Sequence, residues 1–451
     1  MKIFNLVGCG ILACGFLLSC NTSTKKEQQQ SSTVASKDSD EALLDQIQKQ
    51  TFRYFWEGAE PTSGLARERI HIDGNYPEND QQVITIGGSG FGIMGMVVAM
   101  ERGYISKEQG AQRLDSIMNY LAEIPRFKGA WSHWYHGDSK KVKAFSEKDN
   151  GGDIVETAFL TQALIVVREY FKNGDELQKT VAQKADELWK GIDWKHYTNG
   201  KNVLYWHWSP SHQFGMNHAI QGYDECLITY VLAASSPTHP IDTAVYREGW
   251  ARSGKIVSDL QKLHIPIGIK HNAKEAEVGP LFWAHYSFTG LNPIGLSDSY
   301  VNYEEVVKNH TQINIAYAEA NPKQFKGYGK DKGWGLTASY SIAGYDAHHP
   351  DNDKSVISPT AALSSMPYAP KESIAFARYL LDSLDTKVWG KYGFYDAYSE
   401  TENWYPQRYL AIDQGPIVVM IENYRSGLIW ELFMSAPEIQ AGLKKLGFNH
   451  P

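Results

Sequence analysis

Residues 149–171 read DNGGDIVETAFLTQALIVVREYF. Beyond Asp153 the apolar residues recur at helical spacing, and the pattern predicts a helix over 153–172. Asp153 and Glu156 stand where a capping box would put them, Asp as N-cap and Glu at N3, and the helix dipole favours both charges. Asp149, four residues earlier, shares their face only if the helix extends back. Capping therefore accounts for at most two of three carboxylates. The residues leave two readings open, a capped structural helix or a carboxylate cluster at the mouth of a pocket.

The same periodicity recurs at 42–56, 89–102, 106–123, 177–190, 218–234, 243–262, 301–320, 371–384, 415–426 and 436–445. Ser106 with Gln109 marks a capped start. Long segments rich in Gly, Trp, Tyr and Pro separate these helices, and strand-like alternation is brief, as in VLYWHW (203–208). No low-complexity linker interrupts residues 42–451. One large all-α domain follows, and helices paired with long intervening loops fit an (α/α)6 toroid among other helical packings. The glycines of IGGSGFGIMGMVVAM (86–100) suit close packing at its centre; no preceding strand is apparent from the sequence, which argues against a phosphate loop.

Lys2, the apolar run 3–18 and Leu17-Leu18-Ser19-Cys20 form a signal peptide of the lipoprotein type, residues 1–19, with Cys20 as the lipidated first residue. Residues 20–41 are polar and lack aromatic side chains, so we expect a disordered tether. The expected location is that of an exported lipoprotein, in the periplasm or outer membrane, held to membrane through its lipid only. Of four cysteines, Cys226 alone remains in the folded part, which precludes an internal disulfide there. The formal charge of −7, without a basic cluster, argues against nucleic acid as a partner.

Thirteen Trp, many beside His, Gly and Pro in polar loops, suit stacking on sugar faces and point to an oligo- or polysaccharide partner. Candidate contacts are Trp131 and His133 in WSHWYHGD, Trp206 and His207 in YWHWSPSHQ, His285 and Tyr286 in GPLFWAHYSF, Trp334, Trp404 and Asp413. Asp413 also reads as a cap for a helix opened by Pro416. In HAIQGYDECLITYVL, Asp224 and Glu225 sit in apolar surroundings that raise a carboxyl's pKa, which a general acid needs. There is no HExxH, cysteine cluster, serine elbow or dinucleotide fingerprint, so neither metal nor cofactor is expected. Carboxylates with aromatic surfaces are the equipment of glycoside hydrolysis.

Ten ordered blocks, among them TFRYFWEGAEPTSGLARER, DNGGDIVETAFL, DECLITYVLAASSPTH, WGLTASYSIAGYDAHHP and AIDQGPIVVMIENYRSGLIW, resemble the bacterial glycoamylase-like family that overlaps glycoside hydrolase family 144. The resemblance covers nearly all of the chain from residue 51. It implies an (α/α)6 toroid and inverting hydrolysis of β-1,2-linked glucans. It also implies that Asp149, Asp153 and Glu156 line the substrate pocket and that Glu225 is the family's block glutamate, with Asp224 here where Asn is usual. We therefore expect Glu225 as acid and Asp153 or Glu156 as the group that orients or deprotonates water. An exo-hydrolase of α-glucans and a non-catalytic glycan-binding lipoprotein remain as alternatives.

Overall fold

Residues 86–100 are buried along their whole length, and a helix with no polar face has to be surrounded. The computed structural model describes residues 24–450 apart from 275 and 276, and this segment is the second of twelve α-helices among them. They are α1 (Thr24–Trp56), α2 (Ile86–Glu101), α3 (Lys107–Glu123), α4 (Ile154–Phe171), α5 (Glu176–Lys190), α6 (Leu227–Ser235), α7 (Tyr303–Ala320), α8 (Pro359–Ser364), α9 (Pro370–Tyr379), α10 (Ala411–Arg425), α11 (Leu428–Met434) and α12 (Pro437–Leu446). One unit of the chain ends at Asp45 and a second begins at Gln46. The second unit holds the helices α2–α12 and the short strands between them.

In it, α2 packs on α4, α4 on α6, and α6 on a 3-10 turn, Tyr286–Phe288, that follows another, Leu281–Ala284. These turns are joined to the end of α8 by His285 Nε2 to Ser365 Oγ (2.8 Å) and Tyr368 OH to the Ala284 carbonyl (3.0 Å). From there α8 packs on α10 and α10 returns to α2, closing an inner ring. Outside it, α3 covers α2, α5 covers α4, α12 covers α6, α7 covers the turn 281–284 and α9 covers α8. This is the expected (α/α)6 toroid. Two glycines draw the ring tight: a Cβ on Gly90 would meet Leu160 Cα at 2.7 Å, and one on Gly88 would meet Ala411 Cβ at 2.8 Å.

Short strands brace one rim. Residues 83–85 pair with 134–136, 152–153 with 207–208, and 408–410 with 69–71. Each of 83–85, 152–153 and 408–410 runs straight into an inner helix, α2, α4 or α10. The N-termini of these helices, whose first N–H groups have no partner within the helix, are thereby fixed.

Several expectations change. The helix expected over 218–234 begins only at Leu227, because Ile220 N–H bonds the Leu204 carbonyl and Gly222 has φ 86°, with no room for a Cβ beside Ala273 N at 2.7 Å. Over 243–262 there are two short turns, Val245–Trp250 and Arg252–Gly254, after which Val257–Lys262 pairs antiparallel with Ile265–Ile269. Leu263 and His264, both at positive φ (52° and 64°), make the two-residue turn. Asp413 lies inside α10, which starts at Ala411, and does not cap it. Residues 24–41, expected as a disordered tether, begin α1; they contain neither Gly nor Pro to stop a helix. The signal peptide 1–19 and Cys20 lie outside the described residues. No helix among the described residues is long and apolar enough to cross a membrane.

Candidate active site

Asp153 caps α4: its Oδ1 accepts from the N–H groups of Val155 and Glu156, both at 2.9 Å. Its Oδ2 accepts from His133 Nδ1 (3.0 Å) and Trp206 Nε1 (3.1 Å), with His207 Nε2 at 3.5 Å. Burial opposes its ionisation, but the bonds from His133 and His207 prevail and hold the carboxyl well below its ordinary 3.8. Asp153 is thus a fixed charge that orients three rings, and with no exposed surface it does not itself reach the cavity. Asp149 plays a similar part for His207, whose Nε2 lies 3.0 Å from its Oδ2.

Both imidazoles become cations. Burial works against this, but Glu156 and Asp153 push His133 up to about 9, and the bonds to Asp149 and Asp153 do the same for His207. His133 Nε2 stands 3.8 Å from Glu156 Oε1, while Glu156 Oε2 accepts from Gly87 N–H at 2.7 Å, at the start of α2. Burial raises the Glu156 carboxyl above its ordinary 4.5; His133 offsets part of this and Asp153 adds to it.

Glu225 stands two residues ahead of α6, and its carbonyl accepts from Ser287 Oγ. Burial, then the charge of Asp224, then those of Glu156 and Asp153 drive its carboxyl well above 4.5. Asp224, whose Oδ1 accepts from Cys226 N–H at 2.8 Å, is raised by burial as well. Glu225 and Glu156 both line one cavity of about 380 Å³. Thr85, Leu410 and Ile412, from the starts of α2 and α10, line it too. Its floor is therefore where inner-helix N-termini meet, which favours negative charge there.

The sequence pointed to His133, Trp206, Tyr286, Glu156 and Glu225, and the cavity collects all five. Its walls add Trp134 and Tyr345 and, missed by sequence reading, Glu68, Arg69, Phe145, Phe282 and Tyr340. Glu68 and Arg69 form an ion pair beside the cavity, yet in LARER they read as ordinary surface charges. Burial raises the Glu68 carboxyl, against the pull of Arg69.

Other expected contacts lie elsewhere. Trp131 is core: its Nε1 bonds the Leu121 carbonyl (3.0 Å) and the Arg126 guanidinium covers its ring at 4.1 Å. Trp334 is fully buried against Phe376, and Trp404 packs on the cluster of Tyr340, Val356, Ala397 and Leu410. His285 is buried on Ser365, and burial lowers its pKa to about 3. Asp413 sits behind the cavity wall, accepting from Tyr286 OH at 2.8 Å; burial holds it above 3.8, as burial and Asp413 hold the adjacent Asp396. Among the described residues, His133, Asp149 and Asp153, or Asp224, Glu225 and Cys226, bring possible metal-ligand atoms within 4.8 Å of one another. In the first group the His133 and Asp153 atoms are already bonded to each other.

A sequence family described as "Putative glucoamylase" matches residues 217–437. The chain is 58% identical to an endo-β-1,2-glucanase from Chitinophaga pinensis, solved with sophorotriose and glucose, over 91% of this chain and 99% of that one, at a TM-score of 0.90. A structure described as a putative glucoamylase from Bacteroides caccae is 56% identical over 91% and 100%, at 0.89. An exo-β-1,2-glucooligosaccharide sophorohydrolase (non-reducing end) from Parabacteroides distasonis is 40% identical over 90% of this chain; the chain spans 58% of that relative's length. With this coverage and a shared toroid, the chain belongs to the bacterial glycoamylase-like family that overlaps glycoside hydrolase family 144.

Proposed function

We propose that the protein is an exported glycoside hydrolase that cleaves β-1,2-glucan or its oligosaccharides with inversion. The observation that carries this reading is Glu225: a carboxyl pushed well above 4.5 by desolvation and by Asp224, in the same aromatic-walled cavity as Glu156. A neutral carboxylic acid at neutral pH can protonate the leaving glycosidic oxygen. The activities named for the Chitinophaga and Parabacteroides relatives support the linkage.

In the reaction, Glu225 gives its proton to the departing oxygen while Glu156 takes one from water attacking the anomeric carbon. Glu156 is the carboxyl of the 149–156 cluster that faces the cavity, and the His133 cation 3.8 Å away favours its ionised form. Asp153 positions His133 and Trp206, whose rings supply hydroxyl contacts and stacking. Inversion needs room for water between the two carboxyls, about 6.5–9.5 Å.

The test is product release from linear β-1,2-glucan and from maltooligosaccharides by residues 41–451, with Glu225→Gln as control. Cleavage of the β-1,2-glucan alone, abolished in the variant, is expected. Turnover of maltooligosaccharides alone would transfer the reading to α-glucans, and affinity without turnover would leave a binding protein. The lipid anchor is proposed with it: Cys20→Ala should move the protein from the membrane fraction to the soluble one, and unchanged partitioning would refute the anchor.

A further inference from the structure

Among the described residues, two of the large apolar side chains left exposed line the catalytic cavity: Phe145 at 52% and Tyr345 at 60%. Each is held so that its ring stays available. Phe145 N–H bonds the Asp149 carbonyl (3.0 Å), and one face of its ring stacks on His133 at 4.4 Å with Trp134 tilted beside it at 4.9 Å. Tyr345 belongs to a hairpin in which Ala338–Ser341 pairs with Gly344–Ala347, and it stands directly opposite Tyr340. Cross-strand partners point to the same face of a hairpin, here the cavity. The inner strand is anchored, since His71 Nε2 meets Tyr340 OH at 2.5 Å and Tyr340 N–H bonds Asp396 (2.8 Å). The outer strand is tied by Asp346 to Lys354 and Asn352.

At about 380 Å³ the cavity is near the small end of the roughly 300–1,000 Å³ usual for ligand pockets. It holds the sugars flanking the scissile bond and little more. The rest of a long glucan has to pass the mouth, where these exposed rings stand, and the C–H faces of a pyranose pack on aromatic surface.

We propose that Phe145 and Tyr345 are specificity-determining residues: their rings hold glucosyl units beyond the cleaved bond and set the preference for long chains over short ones. This rests on the hydrolase reading. The hydroxyl end of Tyr345 is enclosed by protein near Asp413, Asp396, Glu68 and Glu225, so ring and hydroxyl have to be separated experimentally.

Kinetics on linear β-1,2-glucan and on the shortest oligosaccharide that the wild type cleaves would do this. Phe145→Ala and Tyr345→Ala should each raise KM for the polymer about tenfold, the loss of one stacking contact, and lower kcat/KM for the polymer about tenfold more than for the short oligosaccharide. Tyr345→Phe should keep the polymer preference. Equal losses on both substrates, or none on either, would overturn the proposal, and loss in Tyr345→Phe would overturn it for that ring. Should the wild type cleave no β-1,2-glucan at all, the hydrolase reading fails separately. Retardation in gels containing β-1,2-glucan then decides the stacking role: weaker retardation of the alanine variants upholds it, and unchanged retardation overturns it.

Discussion

Glu225 and Asp153 show how one fold sets two carboxyls to opposite ends of the titration range. Asp153 accepts four hydrogen bonds and is held well below its ordinary value; Glu225, half-buried beside another acid, is pushed well above its own. Glu225→Gln should lower kcat by about 10²–10⁴-fold, as loss of a general acid does, with little change in thermal midpoint. Asp153→Asn would take their shared carboxylate from the half-buried His133 and the buried His207; a stability loss of roughly 3–5 kcal/mol in urea titration is expected, as for breaking a buried pair. Activity should also carry the sign of these shifts. Glu156 has to lose its proton and Glu225 has to keep its own, and both are raised, so both limbs of the kcat/KM profile should lie above 4.5. An acid limb at 4.5 or below would contradict that. The carboxyls were legible because Asp and Glu at a helix start, or in an apolar run, stand out. Glu68 was not, since its burial comes from the pairing of 69–71 with 408–410, more than three hundred residues apart in sequence.

At the level of elements, short strands deliver α2, α4 and α10 to one rim, so three helix N-termini share the cavity floor with the residues just ahead of α6. The glycines of α2 make that convergence possible. Gly90→Ala should cost about 1–3 kcal/mol through overpacking against α4, read as a lowered thermal midpoint, because the atoms in the way belong to the Leu160 backbone. Long helices with a periodic apolar face were readable from sequence. The hairpin 257–269 was not, since its turn is Leu263-His264 in place of the usual Asn-Gly. Nor was the ring position filled by the two short turns of 281–288, which are too brief to show a period. Trp131 and Trp334 were misplaced because a tryptophan beside polar residues reads alike whether its ring faces a sugar or the core.

Across the whole molecule the titrations add up to a pH preference. Glu156, Glu225, Asp224, Asp396 and Asp413 are raised, so each stabilises the fold fully below its ordinary 3.8–4.5 and loses that contribution as pH rises through its folded value. His133 and His207, raised from 6.5 to about 9, lose theirs between those values. Asp153 is lowered, so its contribution is present above 3.8 and disappears at lower pH. The thermal midpoint should therefore be highest near pH 4–5 and fall by about 5 °C or more by pH 9; a midpoint rising over that range would contradict the burial of these groups.

The central claim, hydrolysis of a β-1,2 bond by Glu225 and a water-activating carboxylate, is tested most directly by ¹H NMR of the first product formed from linear β-1,2-glucan. Inversion predicts that the new reducing end appears as the α-anomer before mutarotation. A β-anomer appearing first, or no new reducing end at all, would contradict the account.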